Sequence, residues 1–139
     1  MLDINYEDID DLSLSEDSLS NWITEVCSNE SKEFGDISLI FCSDDYLLEM
    51  NRTHLDHDYY TDIITFDYTE DQVVSGDLFI SVDRVRDNAT EFNFSFVHEL
   101  HRVIIHGVLH LCGYKDKSVD EEKLMRSKEN DALALISFT

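Results

Sequence analysis

The segment that most constrains this chain is a helical run of apolar residues that contains two histidines. Residues 102–111 read RVIIHGVLHL, so apolar side chains surround His106 and His110 on all sides of a helix. A helix that is apolar all round must be buried, and we expect this segment to lie in the core. A buried imidazole needs a polar partner, because an unpaired polar group in the core costs free energy. The question is therefore what these two histidines bind.

The spacing of the histidines favours a metal ion. Residues four apart lie on one helical face with β-carbons about 5–6 Å apart, so His106 and His110 can hold one cation. Gly113 is placed to end the helix in a left-handed cap, which would turn Asp116 back towards the same ion. Three ligands leave a position open for water, as in catalytic zinc sites. The sequence predicts one divalent, zinc-type ion on these side chains, and a pair of satisfied core histidines is the alternative.

Other residues of the same helix limit the chemistry. The zincin motif of metallopeptidases has a glutamate directly after its first histidine, but Gly107 occupies that position here. Glu99 is nearly two turns upstream and cannot take its place, so a peptidase of that type is disfavoured. His98 and His101 are three residues apart, and we expect them on a solvated face or in the first helical turns rather than in a second metal site.

Length and composition indicate one domain, expected over residues 1–139. Of the 139 residues, 42% are hydrophobic and 11% aromatic, which is enough to build a core. No stretch resembles a signal peptide or a membrane span, so we expect a cytoplasmic protein without membrane contact.

Cys27, Cys42 and Cys112 show no paired spacing that would indicate a disulfide or a thiolate zinc site. Cys112 is read as a small apolar helix residue, with a nucleophile as the alternative.

The charge is distributed unevenly along the chain. The net charge is −21, and residues 1–83 contain 2 basic and 22 acidic side chains. Residues 84–139 contain 8 basic and 9 acidic side chains and are therefore nearly neutral. An acidic surface repels nucleic acid over about 8–10 Å in cellular salt. Any contact with RNA is therefore expected through the second half, which also contains the histidine pair.

Strand-like and helix-like patterns alternate along the chain. They predict an α/β or α+β fold, a single layer domain with a small mixed four-stranded sheet packed by about five helices. The last two strands are candidates for a hairpin, and Ser13 with Glu16 for a capping box. The predicted strands are residues 2–8, 37–42, 61–68 and 76–82, and the predicted helices are residues 15–31, 44–55, 83–91, 94–111 and 119–136.

The stretch HGVLHLCGY, residues 106–114, resembles the signature of the YbeY-type endoribonucleases, also called the rRNA maturation factors. The pattern of that family is His-Gly-x-Leu-His-Leu-x-Gly-Tyr-Asp-His. Residues 50–66 resemble the family's Leu-Asn segment, which leads into Thr-Asp-Val-Leu-Ser-Phe. The remaining matches are Gly76 and Asp77 before a strand, and Met125 and Glu129 after the signature. Several motifs in the same order make this match more specific than the histidine pair alone.

The resemblance implies a single-strand-specific, metal-dependent endoribonuclease. It would act in ribosomal RNA maturation, at the 3′ end of the small-subunit rRNA, and in ribosome quality control. The implied cofactor is one divalent ion, usually zinc, and the implied partners are RNA and a ribosomal particle or ribosome-associated protein. His106 and His110 carry over as ligands, whereas the family's third histidine falls on Asp116. A carboxylate is a normal zinc ligand, although a harder one that admits other divalent ions.

The resemblance also implies an arginine near the phosphate of the RNA substrate, and at this position the chain departs from the family. The family's arginine after the Leu-Asn segment falls on Leu55. Arg52, three residues earlier, is a candidate for the phosphate contact, with an ordinary surface arginine as the alternative. Lys115 and Lys117 flank Asp116 and are candidates for contacts to RNA. The residues expected along the same cleft are Thr61, Asp62 and Thr65, with a purely structural role at the strand edge as the alternative.

Two other functions remain open at this stage, and the sequence assigns no general base. The first is a metal hydrolase of another substrate, such as a peptide. The second is a ribosome-associated binding protein whose metal only stabilises the fold and which performs no catalysis. In that case the basic residues of the second half would form an RNA-docking patch, composed of Lys115, Lys117, Lys123, Arg126 and Lys128.

Overall fold

The structure, a computed structural model, describes residues 1–55 and 59–136. Residues 56–58 of the family-like segment 50–66 lie outside the described residues, as do residues 137–139 of the expected domain. The strands are β1 (Leu2–Tyr6), β2 (Glu33–Cys42), β3 (Ile63–Asp67) and β4 (Val73–Ser81). The helices are α1 (Glu16–Asn29), α2 (Asp44–His54), α3 (Val82–Phe92), α4 (Phe96–Leu111) and α5 (Val119–Leu133).

The four strands form one mixed sheet in the order β1-β2-β4-β3. β1 and β4 both pair with β2 in parallel, while β3 pairs with β4 in an antiparallel hairpin in which Ile63 is opposite Ile80. The predicted α+β fold with a small mixed sheet is therefore confirmed, and so is the hairpin. β3 is therefore an edge strand, and its residues Thr65 and Asp67 line a cleft together with Asp116 and Lys117, which follow α4.

The two faces of the sheet bury different clusters. Along β4, Leu78 and Ile80 belong to the large core with buried residues of α1, α4 and α5. Phe79 points to the other face and packs with Leu47 of α2. This alternation follows from the two-residue period of a strand. α4 contacts β3, β4, α3 and α5, so the histidine-bearing helix is central to the larger core, as predicted.

Serine side chains begin all five of these helices, but the first capping prediction is wrong. Ser15, rather than Ser13, caps α1, with its hydroxyl accepting from the Ser18 amide at 3.2 Å. Ser13 has a positive φ of 56° and its amide donates to Asp11 at 2.6 Å, which keeps it outside the helix. A capping box is present instead at the start of α5, between Ser118 and Glu121.

Several element boundaries differ from the predicted ones. β2 begins at Glu33 and β4 at Val73, because pairing between the two strands continues past Gly35 through an irregularity in register. α4 begins at Phe96 after its cap Ser95, and α5 ends at Leu133.

Within residues 1–55 and 59–136, no helix has the length and apolar character needed to cross a membrane.

Gly107 allows α4 to approach the hairpin closely. A β-carbon at this position would lie 2.7 Å from Ile63 Cδ1 and 3.0 Å from the two δ-carbons of Leu78. The first distance is shorter than real carbon contacts and the second is tighter than most of them, so a side chain here would require Ile63 to shift, and its absence allows the close approach of helix and sheet. His106 immediately precedes this contact, and its position therefore depends on it.

We expect Gly107→Ala to lower the free energy of unfolding by roughly 1 kcal/mol, because overpacking outweighs the better helix propensity of alanine. Ile63→Val removes the Cδ1 atom that the new methyl would meet, so the same substitution should be less destabilising in an Ile63→Val background. Denaturant unfolding of the wild type, the two single variants and the double variant measures the coupling between the two positions. An equal cost of Gly107→Ala in both backgrounds would contradict the packing argument.

Candidate metal centre

His106 and His110 occupy one face of α4 near its end. Their rings meet edge to face, with centroids 4.5 Å apart. The surrounding α4 residues Val103, Ile105 and Leu109 are buried, while both histidines are only partly buried. The helix therefore presents two imidazoles at an opening in an otherwise apolar wall.

The turn after α4 brings a carboxylate back to this face. Gly113 has a φ of +109°, and its amide donates to the His110 carbonyl at 3.0 Å. The amide of Tyr114 donates to the Leu109 carbonyl at 3.0 Å, which completes a Schellman cap. The glycine cap was predicted from the sequence, and its positive φ is confirmed. Asp116, three residues further on, lies beside both histidines.

The three predicted ligands converge on one point. The Nε2 atoms of His106 and His110 are 3.0 Å apart, and Asp116 Oδ2 lies 3.1 Å from the first and 3.2 Å from the second. In a tetrahedral site with bonds of about 2.0–2.1 Å, neighbouring ligand atoms are about 3.3 Å apart. Within the described chain, these side chains form a group that could hold a metal ion. We call this group the triad.

The remaining nitrogen of each imidazole is also engaged. His106 Nδ1 lies 2.7 Å from Glu129 Oε2, and His110 Nδ1 lies 2.9 Å from the carbonyl oxygen of Tyr114. Both partners are acceptors, so each Nδ1 donates a proton to them, and in the neutral imidazole the Nε2 lone pair is then free for a metal ion. Outer carboxylate and carbonyl partners of this kind orient metal-binding histidines and raise their basicity. The donor set therefore fits a divalent ion.

A buried arginine forms an ion pair with Glu129, the carboxylate behind His106, which we call the outer carboxylate. Arg102 is only 8% exposed, and its Nη1 donates to Glu129 Oε1 at 2.9 Å, while its Nη2 donates to Asn130 at 3.1 Å. Burial would raise the pKa of Glu129, but hydrogen bonds from His106 and Arg102 outweigh it and hold the pKa below its ordinary value. Burial likewise opposes protonation of His106, yet the contact with Glu129 raises its pKa. Glu129 is therefore a charged acceptor.

Two clefts meet at the triad. The strand-side cleft, of about 420 Å³, is lined by residues of β3 such as Thr65, together with the triad and Lys117. The helix-side cleft, of about 600 Å³, lies between α3, α4 and α5. Asp62, His106 and Asp116 line both. An extended ligand could therefore pass from one cleft to the other across the triad.

Asp62 is the acidic side chain of this junction outside the triad. Burial raises the pKa of its carboxyl above the ordinary value, although the nearby His106 opposes the shift. Asn88 of α3 lies 3.5 Å from its Oδ2 atom. Thr61 and Thr65 line the strand-side cleft beside it, as the sequence predicted. Asp62 is thus a proton acceptor or hydrogen-bonding group within reach of whatever occupies the junction.

The basic residues singled out from the sequence are placed differently. Lys117 lines the strand-side cleft, whereas Lys115 is exposed on the same loop. Arg52 is on the exposed face of α2, with Nη1 4.0 Å from Glu49, and Leu55 is the C-cap residue of that helix. Among the described residues that line the two clefts, neither Arg52 nor Leu55 is found. A phosphate contact by Arg52 stays a prediction.

His101 lies in the second turn of α4, which agrees with the expected early-turn position, but it is buried, so the solvated-face alternative is wrong for this residue. Its Nδ1 lies 2.7 Å from the carbonyl of Val97, and its ring packs on Trp22 with centroids 5.4 Å apart. This face of α4 packs against Trp22 of α1, a contact that the helix pattern alone did not show. His98, in the first turn, is half-buried and stacks on Phe94. Neither histidine joins the triad.

Cys112 is the half-buried C-cap residue of α4, and Cys27 lies beside it. A hydrogen bond with the Cys27 thiol, together with burial, raises the pKa of Cys112. A thiolate is therefore disfavoured at this position, which favours the interpretation of Cys112 as a small apolar residue over that of a nucleophile.

Glu129 and Arg102 are site residues whose contacts the sequence analysis missed. Glu129 matched the family pattern but was given no role. It follows Met125 by four residues and precedes Ala132 by three, which places a carboxylate on the buried stripe of α5. Charged side chains are almost never fully buried unless they are paired. A glutamate on the buried stripe of a helix therefore indicated that Glu129 has a charged or hydrogen-bonding partner in the core. Its partner lies in another helix and is not indicated by spacing.

Fold and site together define an α+β protein in which two histidines and one aspartate form a group that could hold a metal ion, open towards two clefts. Residues 3–137 match the family model described as Endoribonuclease YbeY. The chain therefore belongs to the YbeY family.

Individual proteins agree with this assignment. The chain is 55% identical to the Endoribonuclease YbeY of Parabacteroides distasonis over 94% of its own length and 92% of that protein. It is 59% identical to the one from Phocaeicola vulgatus over 86% of each chain. The solution structure of TM1509 from Thermotoga maritima matches with a TM-score of 0.69 at 30% identity, covering 96% of this chain and 87% of that one. The similarity thus extends over nearly the whole chain.

The third ligand can be tested by changing Asp116. Asp116→Ala should weaken metal binding by roughly 10-fold or more, because an oxygen ligand is lost, and Asp116→His should retain the metal through an imidazole. His110→Ala should leave the protein largely metal-free, whereas His54→Ala, on the exposed part of α2, should not. Competition with a chromophoric chelator measures these affinities. Equal affinity in wild type and Asp116→Ala would place the third ligand elsewhere.

The outer carboxylate has its own test. Glu129→Gln should reduce metal affinity about 10-fold or more, since the charged partner that orients and activates His106 is lost. Glu122→Gln makes the same change at an exposed position of the same helix and should leave the affinity nearly unchanged. Isothermal titration with Zn²⁺ compares the two variants. A similar loss in both would show that the effect is general electrostatics rather than the contact with His106.

Proposed function

We propose that residues 1–139 act as one metal-dependent endoribonuclease domain that cleaves single-stranded RNA. The observation that carries this proposal is the triad at the junction of two clefts. Family membership supports it, because the matching relatives are named endoribonucleases. The same relationship supports a role in ribosomal RNA maturation, at the 3′ end of the small-subunit rRNA, and in ribosome quality control.

The donor set is that of a catalytic site rather than a structural one. Two imidazoles and one carboxylate provide three ligands, and the triad opens to both clefts, so a fourth position is accessible to water or substrate. A bound divalent ion, of which zinc is the first choice, would polarise a phosphoryl oxygen or lower the pKa of a bound water. Glu129 and the Tyr114 carbonyl hold the two imidazoles in the tautomer that this requires.

The other residues of the junction position the substrate. Lys117 presents an ammonium group beside the triad, where it can pair with a phosphate oxygen of the substrate. Asp62 lies at the junction with a raised pKa, so it can accept a proton or hydrogen bond from a hydroxyl group there. The partly buried setting of both histidines limits the water that competes for these contacts.

The arrangement of the clefts favours cleavage within a chain. A cleft on only one side of the triad would suit the removal of terminal nucleotides. Here both clefts share Asp62, His106 and Asp116, so the strand can extend in both directions from the cleaved bond. This supports an endonuclease.

A metallopeptidase is less compatible with the structure. The zincin glutamate would fall on Gly107, where even a β-carbon would lie 2.7 Å from Ile63. The alternative of a binding protein with a structural metal is tested by the cleavage experiment below.

The charge of the protein bears on its partners. With a net charge of −21, few phosphates can be neutralised, so free RNA should bind weakly and less well as salt increases. Association with a ribosomal particle or a ribosome-associated protein would raise the local RNA concentration. A cytoplasmic location belongs to the same proposal.

A circular single-stranded RNA tests the proposed activity, because it has no ends for an exonuclease. Wild type should linearise it in a manner that chelator abolishes and Zn²⁺ restores, and His110→Ala should be slower by about 100-fold or more. His54→Ala, purified identically, is the control for the substitution and for contaminating nuclease.

Equal rates for wild type and His110→Ala would refute the nuclease assignment. If neither cleaves but both bind ribosomal particles, the binding-protein alternative replaces it. Cleavage of casein by wild type would favour the peptidase instead.

A further inference from the structure

The helix-side cleft has a wall that the metal chemistry does not use. α3 contributes Phe92, and α5 contributes Lys123 and Arg126. His106 and Asp116 of the triad form its inner end. A ligand in this cleft would therefore be adjacent to the reacting phosphate. The volume of about 600 Å³ lies in the range of small-molecule sites and is sufficient for a nucleotide.

An aromatic ring stands at the mouth of the cleft. Phe92 is the last residue of α3 and is 54% exposed. The helix ends there because Asn93 adopts a left-handed conformation, which leaves the ring at the helix end rather than against a following turn. The nearby Phe94 differs, since its ring stacks on His98 with centroids 4.5 Å apart. An exposed ring in a charged cleft is the kind of surface on which nucleic-acid bases stack.

Two cations face the same cleft from α5. Lys123 and Arg126 are three residues apart, so they lie on one face of the helix, and both are exposed. The Arg126 guanidinium is 3.4 Å from Glu129, the buried carboxylate that also contacts His106. Both belong to the nearly neutral half of the chain.

Acidic side chains also line this wall, and most are already engaged. Glu129 is paired with Arg102, and Asp116 belongs to the triad. Glu99 is buried with its carboxylate 3.9 Å from Arg102. Asp62 is partly buried at the junction, and Glu122 is the exposed acid at the mouth. Among the exposed charged side chains of this wall, Lys123 and Arg126 are cations and Glu122 is a carboxylate, and Arg126 also contacts the buried Glu129. This wall suits an anion that also carries an aromatic base.

We propose that the helix-side cleft is a nucleotide-binding subsite, in which the base next to the cleaved bond stacks on Phe92 and the following phosphate contacts Lys123 and Arg126. This inference rests on the proposed function and adds to it how the strand is held on one side of the triad. Stacking recognises the π-face that all bases share, so the subsite requires an unpaired base but selects little among sequences. It would thereby confer the preference for single strands.

The test measures binding separately from cleavage. The probe is a fluorescein-labelled 2′-O-methyl oligonucleotide of about eight nucleotides, within the usual span of single-strand sites. Fluorescence anisotropy without added metal gives its Kd. Phe92→Leu should raise the Kd about 5-fold or more, because the side chain stays apolar but loses its π-face. Phe92→Tyr should bind as wild type does.

The cations are tested through salt dependence. Removing one phosphate contact should reduce the slope of log K against log salt by about 0.7. Lys123→Ala should show this reduction, and Lys32→Ala, the same change at the residue immediately before β2 and outside both clefts, should not. Since Phe92 and Lys123 are exposed, the thermal unfolding temperature of each variant should match wild type and confirm an intact fold.

The outcomes separate the subsite from the proposed function. Equal Kd values for wild type, Phe92→Leu and Phe92→Tyr would overturn the stacking contact, and an unchanged salt slope in Lys123→Ala would overturn the phosphate contact. Either result leaves the nuclease intact if wild type still linearises circular RNA. Conversely, if binding depends on Phe92 but no cleavage occurs, the subsite stands and the nuclease assignment fails.

Discussion

The hydrogen bond between Glu129 and His106 is the interaction on which the arrangement of this site depends. It joins α5 to α4 at 2.7 Å, fixes the tautomer of the imidazole and directs its Nε2 towards Asp116. A carboxylate this deeply buried needs charged partners, and Arg102 donates to it from within the core at 2.9 Å while Arg126 lies 3.4 Å away. The charge pair that joins the two helices therefore also orients His106, one of the proposed metal ligands. Core and site cannot vary independently.

Gly107, the residue of α4 that follows His106, affects both the packing of the core and the chemistry of the site. Gly107 sets the distance between α4 and the β3–β4 hairpin, where Ile63 and Leu78 leave no room for a β-carbon. This contact places His106 beside the β3 residues of the strand-side cleft. It also removes the position from which a zincin glutamate would act. Steric packing in the core thus limits the reactions that the site can support.

The sequence predicted the sheet, the helices and the convergence of the triad, because these follow from local periodicity and from one glycine turn. It did not predict what depends on contacts between distant segments. His101 reads as a solvated position until α1 covers it, and Glu129 has no partner until α4 lies beside α5. The cap at Ser13 failed for a local reason, since its backbone adopts a positive φ. The residue types in the sequence indicated the chemistry of the site. Tertiary packing determined which of these side chains contact one another.

The most direct measurement of the central claim is the position of the ion. Crystals of the protein with Zn²⁺ or Co²⁺ should give one strong anomalous peak per chain. The peak should lie about 2.0–2.2 Å from Nε2 of His106, Nε2 of His110 and one oxygen of Asp116. A peak bound through an Nδ1 atom, or one that Asp116 does not contact, would contradict the account, since the contacts of Glu129 and Tyr114 would then have another purpose.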